Sequence, residues 1–259
     1  MDALSSTGRI IFVLAILAIG VETWVFARAV AHPLGRGYDG LPLIPWLPAI
    51  PWLAYLAGAI WVACGAAFLS KSLSGRAAMA LGILFVVCSL AIVLPRYLSH
   101  LGSIPFRTVL LEPVAIGCVA LLIPARGAIP GWLVEAGRYL LGMSLVVFGT
   151  DHLVGLAFHA SFVPWWLPWH TFWAAFFGVA FIAAAVSITF HVLERWGAAG
   201  LGLMFGIWVL TFHLPRVLGF LGGEGPRDAD EWSSMLIAVA LWGGPWAAIS
   251  NAGRESKAN

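Results

Sequence analysis

GRYLLGMSLVVFGTDHL, residues 137–153, is an apolar run with an arginine at its second position and an acid and a histidine near its end. GRIIFVLAILAIGVETW, residues 8–24, repeats its frame. Gly8-Arg9 matches Gly137-Arg138, Gly20 matches Gly149 and Glu22 matches Asp151, all at an offset of 129. Runs of this length and apolarity read as membrane helices, because lipid offers no partner to a backbone group and a helix satisfies its own. Their recurrence predicts a duplicated fold.

The repeat extends outward from these two runs. Beyond extra loop residues in the first half, the offset settles at 120: Pro48 with Pro168, Gly58 with Gly178, Gly82 with Gly202, Phe85 with Phe205, Leu94-Pro95-Arg96 with Leu214-Pro215-Arg216, and Arg107 with Arg227. Glu112 and Glu231 follow at 119. Apolar runs bounded by Pro, Gly or charged residues give eight spans, near 10–31, 50–69, 77–94, 109–124, 139–160, 171–193, 198–214 and 233–249. The expected architecture is all-α, with eight transmembrane helices as two parallel-oriented four-helix bundle repeats. The first repeat covers 1–124, a connecting loop 125–136, and the second repeat with a short C-terminal tail 137–259. An even number of spans per half leaves both halves pointing the same way, about an axis along the membrane normal.

Composition agrees with a membrane solvent. The chain is 61% hydrophobic and 10% charged, where a soluble domain carries about a quarter charged residues, so a water-soluble globular protein is excluded. A net charge of +2 gives no basic surface for nucleic acid. Cys64, Cys88 and Cys118 sit in apolar runs and form no Cys-x-x-Cys pair, so neither a disulfide framework nor a dithiol centre is signalled. The first span closes with Ala29-Val30-Ala31 and mimics a cleavable signal peptide. Glu22, Arg28 and the mid-chain counterpart argue that it is retained. Eight Lys and Arg fall on the side of the N-terminus and six on the other. Four of those six are the repeated Arg96, Arg107, Arg216 and Arg227, and setting them aside leaves two. Both termini are then expected in the cytoplasm.

The charges inside the spans are the candidates for function. Glu22 lies thirteen residues past Arg9, about 20 Å into a hydrocarbon layer about 30 Å thick. Ionised and alone it would cost about 2.5–3.5 kcal/mol, so it needs a partner or a proton. Asp151 has the same depth and adds His152 beside it. The third span of each half ends at Arg96 or Arg216, and Pro95 and Pro215 are expected to break the helix and let the arginine fold inward. The expected pairs are Glu22 with Arg96 and Asp151 with Arg216, with Arg107, Glu112, Arg227 and Glu231 at the same face. Two readings stand: structural pairs that fix packing, or the polar site of a functional pocket.

His152 and His159 are seven apart and share a helix face. His191 is expected at the cytoplasmic boundary, with His159 and His213 at the outer one, so hydrogen-bonding roles are preferred to haem or a metal shell. Six tryptophans, Trp46, Trp52, Trp165, Trp166, Trp169 and Trp173, cluster around two Pro-Trp loops. The ordinary reading is an interfacial belt, and the sharper one a flat slot for a quinone headgroup or another lipid beside the arginines. No phosphate-cradling loop, zinc-ligand spacing or nucleophile elbow is present. No catalytic residue is assigned.

Gly137-Arg138, Gly149-x-Asp151-His152, Pro164-Trp165-Trp166-Leu167-Pro168, the small-residue third helix and Leu214-Pro215-Arg216 together resemble the DoxX family of bacterial membrane proteins. The likeness is clearest over 137–249 and fainter over 8–124, so the chain looks like a tandem duplication of that four-helix unit. The resemblance implies a multi-pass protein of the bacterial inner membrane, with quinone-linked redox metabolism and membrane oxidoreductase subunits as associations. The function expected from residues and resemblance together is an accessory component that binds a lipid-soluble molecule, with quinone the candidate, near the outer leaflet. The competing expectations are a small-solute or proton-coupled transporter that uses Glu22 and Asp151, and a structural scaffold of a redox complex.

Overall fold

The computed structural model describes residues 3–26, 51–70, 72–124, 127–221 and 225–251, without the side chains at 51, 53, 54, 92 and 96. All regular structure among them is helical: α1 (Ala3–Val25), α2 (Pro51–Ala67), α3 (Ser74–Cys88), α4 (Leu94–Ser99), α5 (Ile104–Leu122), α6 (Gly131–Val154), α7 (Leu156–Ala160), α8 (His170–Thr189), α9 (Glu194–Trp208), α10 (Leu214–Val217) and α11 (Ala229–Ala248). Six segments among the described residues are long and apolar enough to cross a membrane: Ala3–Val25, Ser74–Ala91, Ile104–Leu122, Gly131–Val154, His170–Thr189 and Glu194–Val217. The chain is a helical, multi-pass membrane protein. α6 begins at Gly131, within the stretch expected to be connecting loop, because Pro130 leads in with extended backbone and leaves no residue able to stop the helix before Gly137.

The prolines expected to end the third span do not end it. α3 runs through a π-helical turn, Ser89–Val93, into α4, and α9 runs through Val209–His213 into α10. A proline inside a regular α-helix collides with the carbonyl four residues back and withholds an N–H. A wider π turn just before Pro95 and Pro215 relieves both faults and lets the chain continue. The two π turns stand 120 residues apart, as do both ends of α3 and α9.

Packing is set by glycine contacts. A Cβ on Gly20 would lie 2.8 Å from the carbonyl oxygen of Gly58, and one on Gly149 would lie 2.7 Å from that of Gly178. α1 and α2 therefore approach as α6 and α8 do, and a side chain at either crossing would hold them apart. Arg9 and its repeat match Arg138 each cap a helix end: Arg9 donates to the carbonyl of Phe68 at 2.5 Å, and Arg138 to that of Ile188 at 3.0 Å, where it also meets Glu194. These anchors hold the ends of α2 and α8, whose final carbonyls lack intrahelical donors.

α5 and α11 pack on each other, α5 against α6 and α11 against α1. Gly8 abuts Gly243 and Gly137 abuts Cys118, a spacing of 125 between contacted residues. The matches at 119 (Glu112, Glu231) and 120 (Arg107, Arg227) thus do not share contacts in this helix. The longer turn before α11, with Gly219 and Gly225 at positive φ, shifts its register. The Ser5 hydroxyl donates to the carbonyl of Ala247 at 2.9 Å, so the two ends of the described chain lie at one end of the bundle.

Candidate functional site

At the opposite end, α6 brings Asp151 to the start of α5. Arg107 Nε lies 2.9 and 3.0 Å from the two carboxylate oxygens of Asp151, and a second guanidinium nitrogen lies 2.5 Å from Oδ1. The Asp151 side chain is 7% exposed and that of Arg107 is 21%. Two-point contact with a planar guanidinium is the strongest form such a pair takes. It answers the cost of a carboxylate in an apolar bundle.

The expected pairing is therefore corrected. Asp151 pairs with Arg107 of the other half, and Arg216 pairs with Glu231, its Nε 2.7 Å from Oε1. The reason is topological. α5 seats on α6, so the arginine nearest Asp151 comes from α5. Arg216 is instead carried by α10 to the first turn of α11, with its guanidinium 5.2 Å above the Phe212 ring.

Glu22 accepts a hydrogen bond from the Ser233 hydroxyl at 2.7 Å. Its expected partner Arg96 has a side chain outside the described residues, so that pair is outside them too. Arg227 lies exposed in the short turn Gly225–Arg227 that precedes α11. Asp228 caps that helix, its carboxylate accepting from the N–H groups of Asp230 and Glu231.

Behind the Arg107–Asp151 pair lies a cavity of about 160 Å³. Phe148, Phe181, Phe205 and Trp208 form much of its wall, and Asp151, His152, His159, His213, Glu112 and Ser234 supply polar groups. Of the sequence-derived candidates, Glu112, Asp151 and His152 meet here, with Arg107 at their back. Glu22 belongs to a separate contact, and the Arg216–Glu231 pair adjoins the cavity through Phe212. The Phe181 ring meets those of Phe148 at 5.7 Å, His152 at 5.3 Å and Phe205 at 5.8 Å. The edge-to-face and tilted geometry fixes the wall.

The two histidines expected to share a face do so closely. Their ring centroids are 3.8 Å apart with an interplanar angle of 23°. His152 Nδ1 lies 2.8 Å from the Phe148 carbonyl oxygen and His159 Nδ1 lies 3.0 Å from that of Gly155. His213, expected at the same boundary as His159, lines the same cavity, and its Nδ1 is buried with no hydrogen-bond partner among the described residues. His191 pairs with Glu194 at the other end of the bundle. No cluster of three or more His, Cys, Asp or Glu among the described residues is arranged to hold a metal ion.

The tryptophan-rich loop does not frame this cavity. Trp165 and Trp169 are 80% and 75% exposed at this end, and Trp132 and Trp196 are exposed at the other, as an aromatic belt at each interface requires. The first Pro-Trp loop, 44–48, lies outside the described residues.

The aromatic wall is built where the two matching stretches of sequence differ. At the 129 and 120 offsets, Phe148, Phe177, Trp208 and Phe212 stand where the first half has Ile19, Ala57, Cys88 and Ile92. His152 and His213 stand where it has Thr23 and Val93. The signal was where the repeat fails. Comparison with protein-family models, with curated proteins and with solved structures finds no match for this chain.

Proposed function

We propose that this is a DoxX-like inner-membrane protein of eight crossing helices in two parallel four-helix halves, which binds a flat-ringed, lipid-soluble molecule of the quinone type. α2 and α11 supply the seventh and eighth crossings: at 17 and 20 residues they are about 25 and 30 Å long. The common offset of α3 and α9, the paired glycine crossings and the shared end of the chain termini support the duplicated, even-numbered arrangement. Both termini then face the cytoplasm, which puts the cavity in the outer half of the membrane.

The observation that carries the ligand reading is the cavity itself, an aromatic box with histidine and carboxylate groups in its lining. Such a mix of apolar rings and a few placed polar groups is what a small-molecule site needs. Its volume matches the roughly 150 Å³ that accommodates a six-membered ring. Binding is preferred to small-solute or proton-coupled transport because both oxygens of Asp151 are engaged by Arg107, which makes that carboxylate a fixed structural partner behind the cavity. A membrane oxidoreductase subunit is the partner class this role calls for.

The test is mass spectrometry of lipids retained after mild detergent extraction. Wild-type protein should carry a ring-headed isoprenoid in near-stoichiometric amount, and Phe205→Trp, which fills the box, should lose it. Equal retention by both proteins, or none by either, would contradict the reading.

A further inference from the structure

Resting on that reading of the cavity, we infer that the site selects the reduced, hydroquinone form of its ligand over the quinone, because the stacked His152–His159 pair presents only hydrogen-bond acceptors. A main-chain carbonyl oxygen has lone pairs and no proton to give. The contacts of His152 Nδ1 with the Phe148 oxygen and of His159 Nδ1 with the Gly155 oxygen therefore require an N–H at both Nδ1 positions. The tautomer of a histidine is set by the bond its other nitrogen makes, so in each neutral ring Nε2 is left with a lone pair. Among the described residues no side chain or backbone group bonds to either Nε2.

A second proton on both rings is opposed by geometry. Two imidazolium charges with centroids 3.8 Å apart would repel strongly in an apolar wall. The guanidinium of Arg107 stands close by, and it already engages both oxygens of the one carboxylate that adjoins the pair. The Asp151 carboxylate is itself an acceptor only.

A quinone carbonyl would bring one more acceptor against these acceptors, leaving lone pairs buried and unmatched on both sides. A hydroquinone hydroxyl donates to Nε2 and satisfies both partners. The Trp208 indole N–H on the cavity wall is a donor only, its ring held against Phe177 and Phe212; the remaining polar groups do not discriminate. Thr108 already donates to the carbonyl of Ile104, the Ser234 hydroxyl can give or take a hydrogen bond, and no contact fixes the proton of Glu112 or His213. The preference therefore lies in the histidine pair. The penalty falls on the mismatched ligand, since a site built to bond a hydroxyl rejects an analogue that lacks it.

The test compares three ring-matched probes on purified full-length protein in nanodiscs under anaerobic conditions: decylubiquinol, decylubiquinone and the dimethyl ether of decylubiquinol. The quinol should bind about tenfold or more tightly than either of the others. In His152→Phe and His159→Phe, which keep the stacked ring and remove the acceptor, the preference should collapse toward parity. Saturable binding of quinone as tight as that of quinol in the wild-type protein overturns the selectivity and leaves the cavity reading standing. So does a preference that survives both substitutions. Saturable binding of none of the three overturns both.

Discussion

Arg107→Met is expected to destabilise the protein by about 3 kcal/mol, the lower end of the range for stranding a buried charge, because Arg107 retains some solvent exposure. Removing the guanidinium leaves the Asp151 carboxylate inside the bundle with neither of its two-point contacts. Asp151→Leu added to the same chain should recover most of the loss, since replacing both partners by apolar groups removes the unpaired charge as well as the bond. Thermal or denaturant unfolding of the three proteins in one detergent measures it. Arg216→Met should not be rescued by Asp151→Leu. If it were, and Arg107→Met were not, the pairing would run within a half and the topology described for α5 and α6 would be wrong.

Gly149→Val is expected to cost about as much, by overpacking a place that cannot yield. Its Cβ would fall 2.6 Å from Ile182 and 2.7 Å from the carbonyl oxygen of Gly178. The isoleucine can rotate, but the oxygen belongs to the backbone of α8, so α6 and α8 must separate. That separation also opens the cavity wall, because Phe148 and His152 flank Gly149 on α6 while Phe177 and Phe181 flank Gly178 on α8. Gly200→Ala is the control. Nothing lies within 4 Å of a Cβ there, and alanine is the better helix former, so that variant should be neutral or slightly more stable. A Gly149→Val protein as stable as wild type would contradict the close crossing.

The parts of this fold legible in the sequence are those enforced by a single local rule. Lipid demands helices, so the positions of the spans follow from apolar length. Close crossings demand glycine, and Gly20 with Gly149 and Gly58 with Gly178, which recur in the sequence only as repeat matches, prove to be the crossing positions. Helix ends need donors, which is why Gly8-Arg9 and Gly137-Arg138 recur. Partner choice across the bundle obeys no local rule. Arg107 and Arg216 lie at the same face, and only the seating of α5 on α6 decides which of them reaches Asp151.

The register of the closing helix was hidden for a similar reason. Glu112 and Glu231 match at a spacing of 119, yet the turn before α11 carries extra residues and the contacting positions differ by 125. The proline stops misled because a π turn, which has no sequence signature of its own, absorbs Pro95 and Pro215. The cavity was hardest to see, being made where the halves diverge: His152 and His213 against Thr23 and Val93, and phenylalanine against aliphatic or small residues.

A ring-headed lipid in the aromatic cavity behind Arg107 and Asp151 is the proposal on which the rest depends. Photolabelling with an azidoquinone, followed by peptide mass spectrometry, tests it most directly. The account predicts adducts on residues 148–162 and 204–213 that an excess of unlabelled quinol removes. Adducts confined to the lipid-facing surfaces of α1 and α2, or adducts that quinol does not displace, would contradict it.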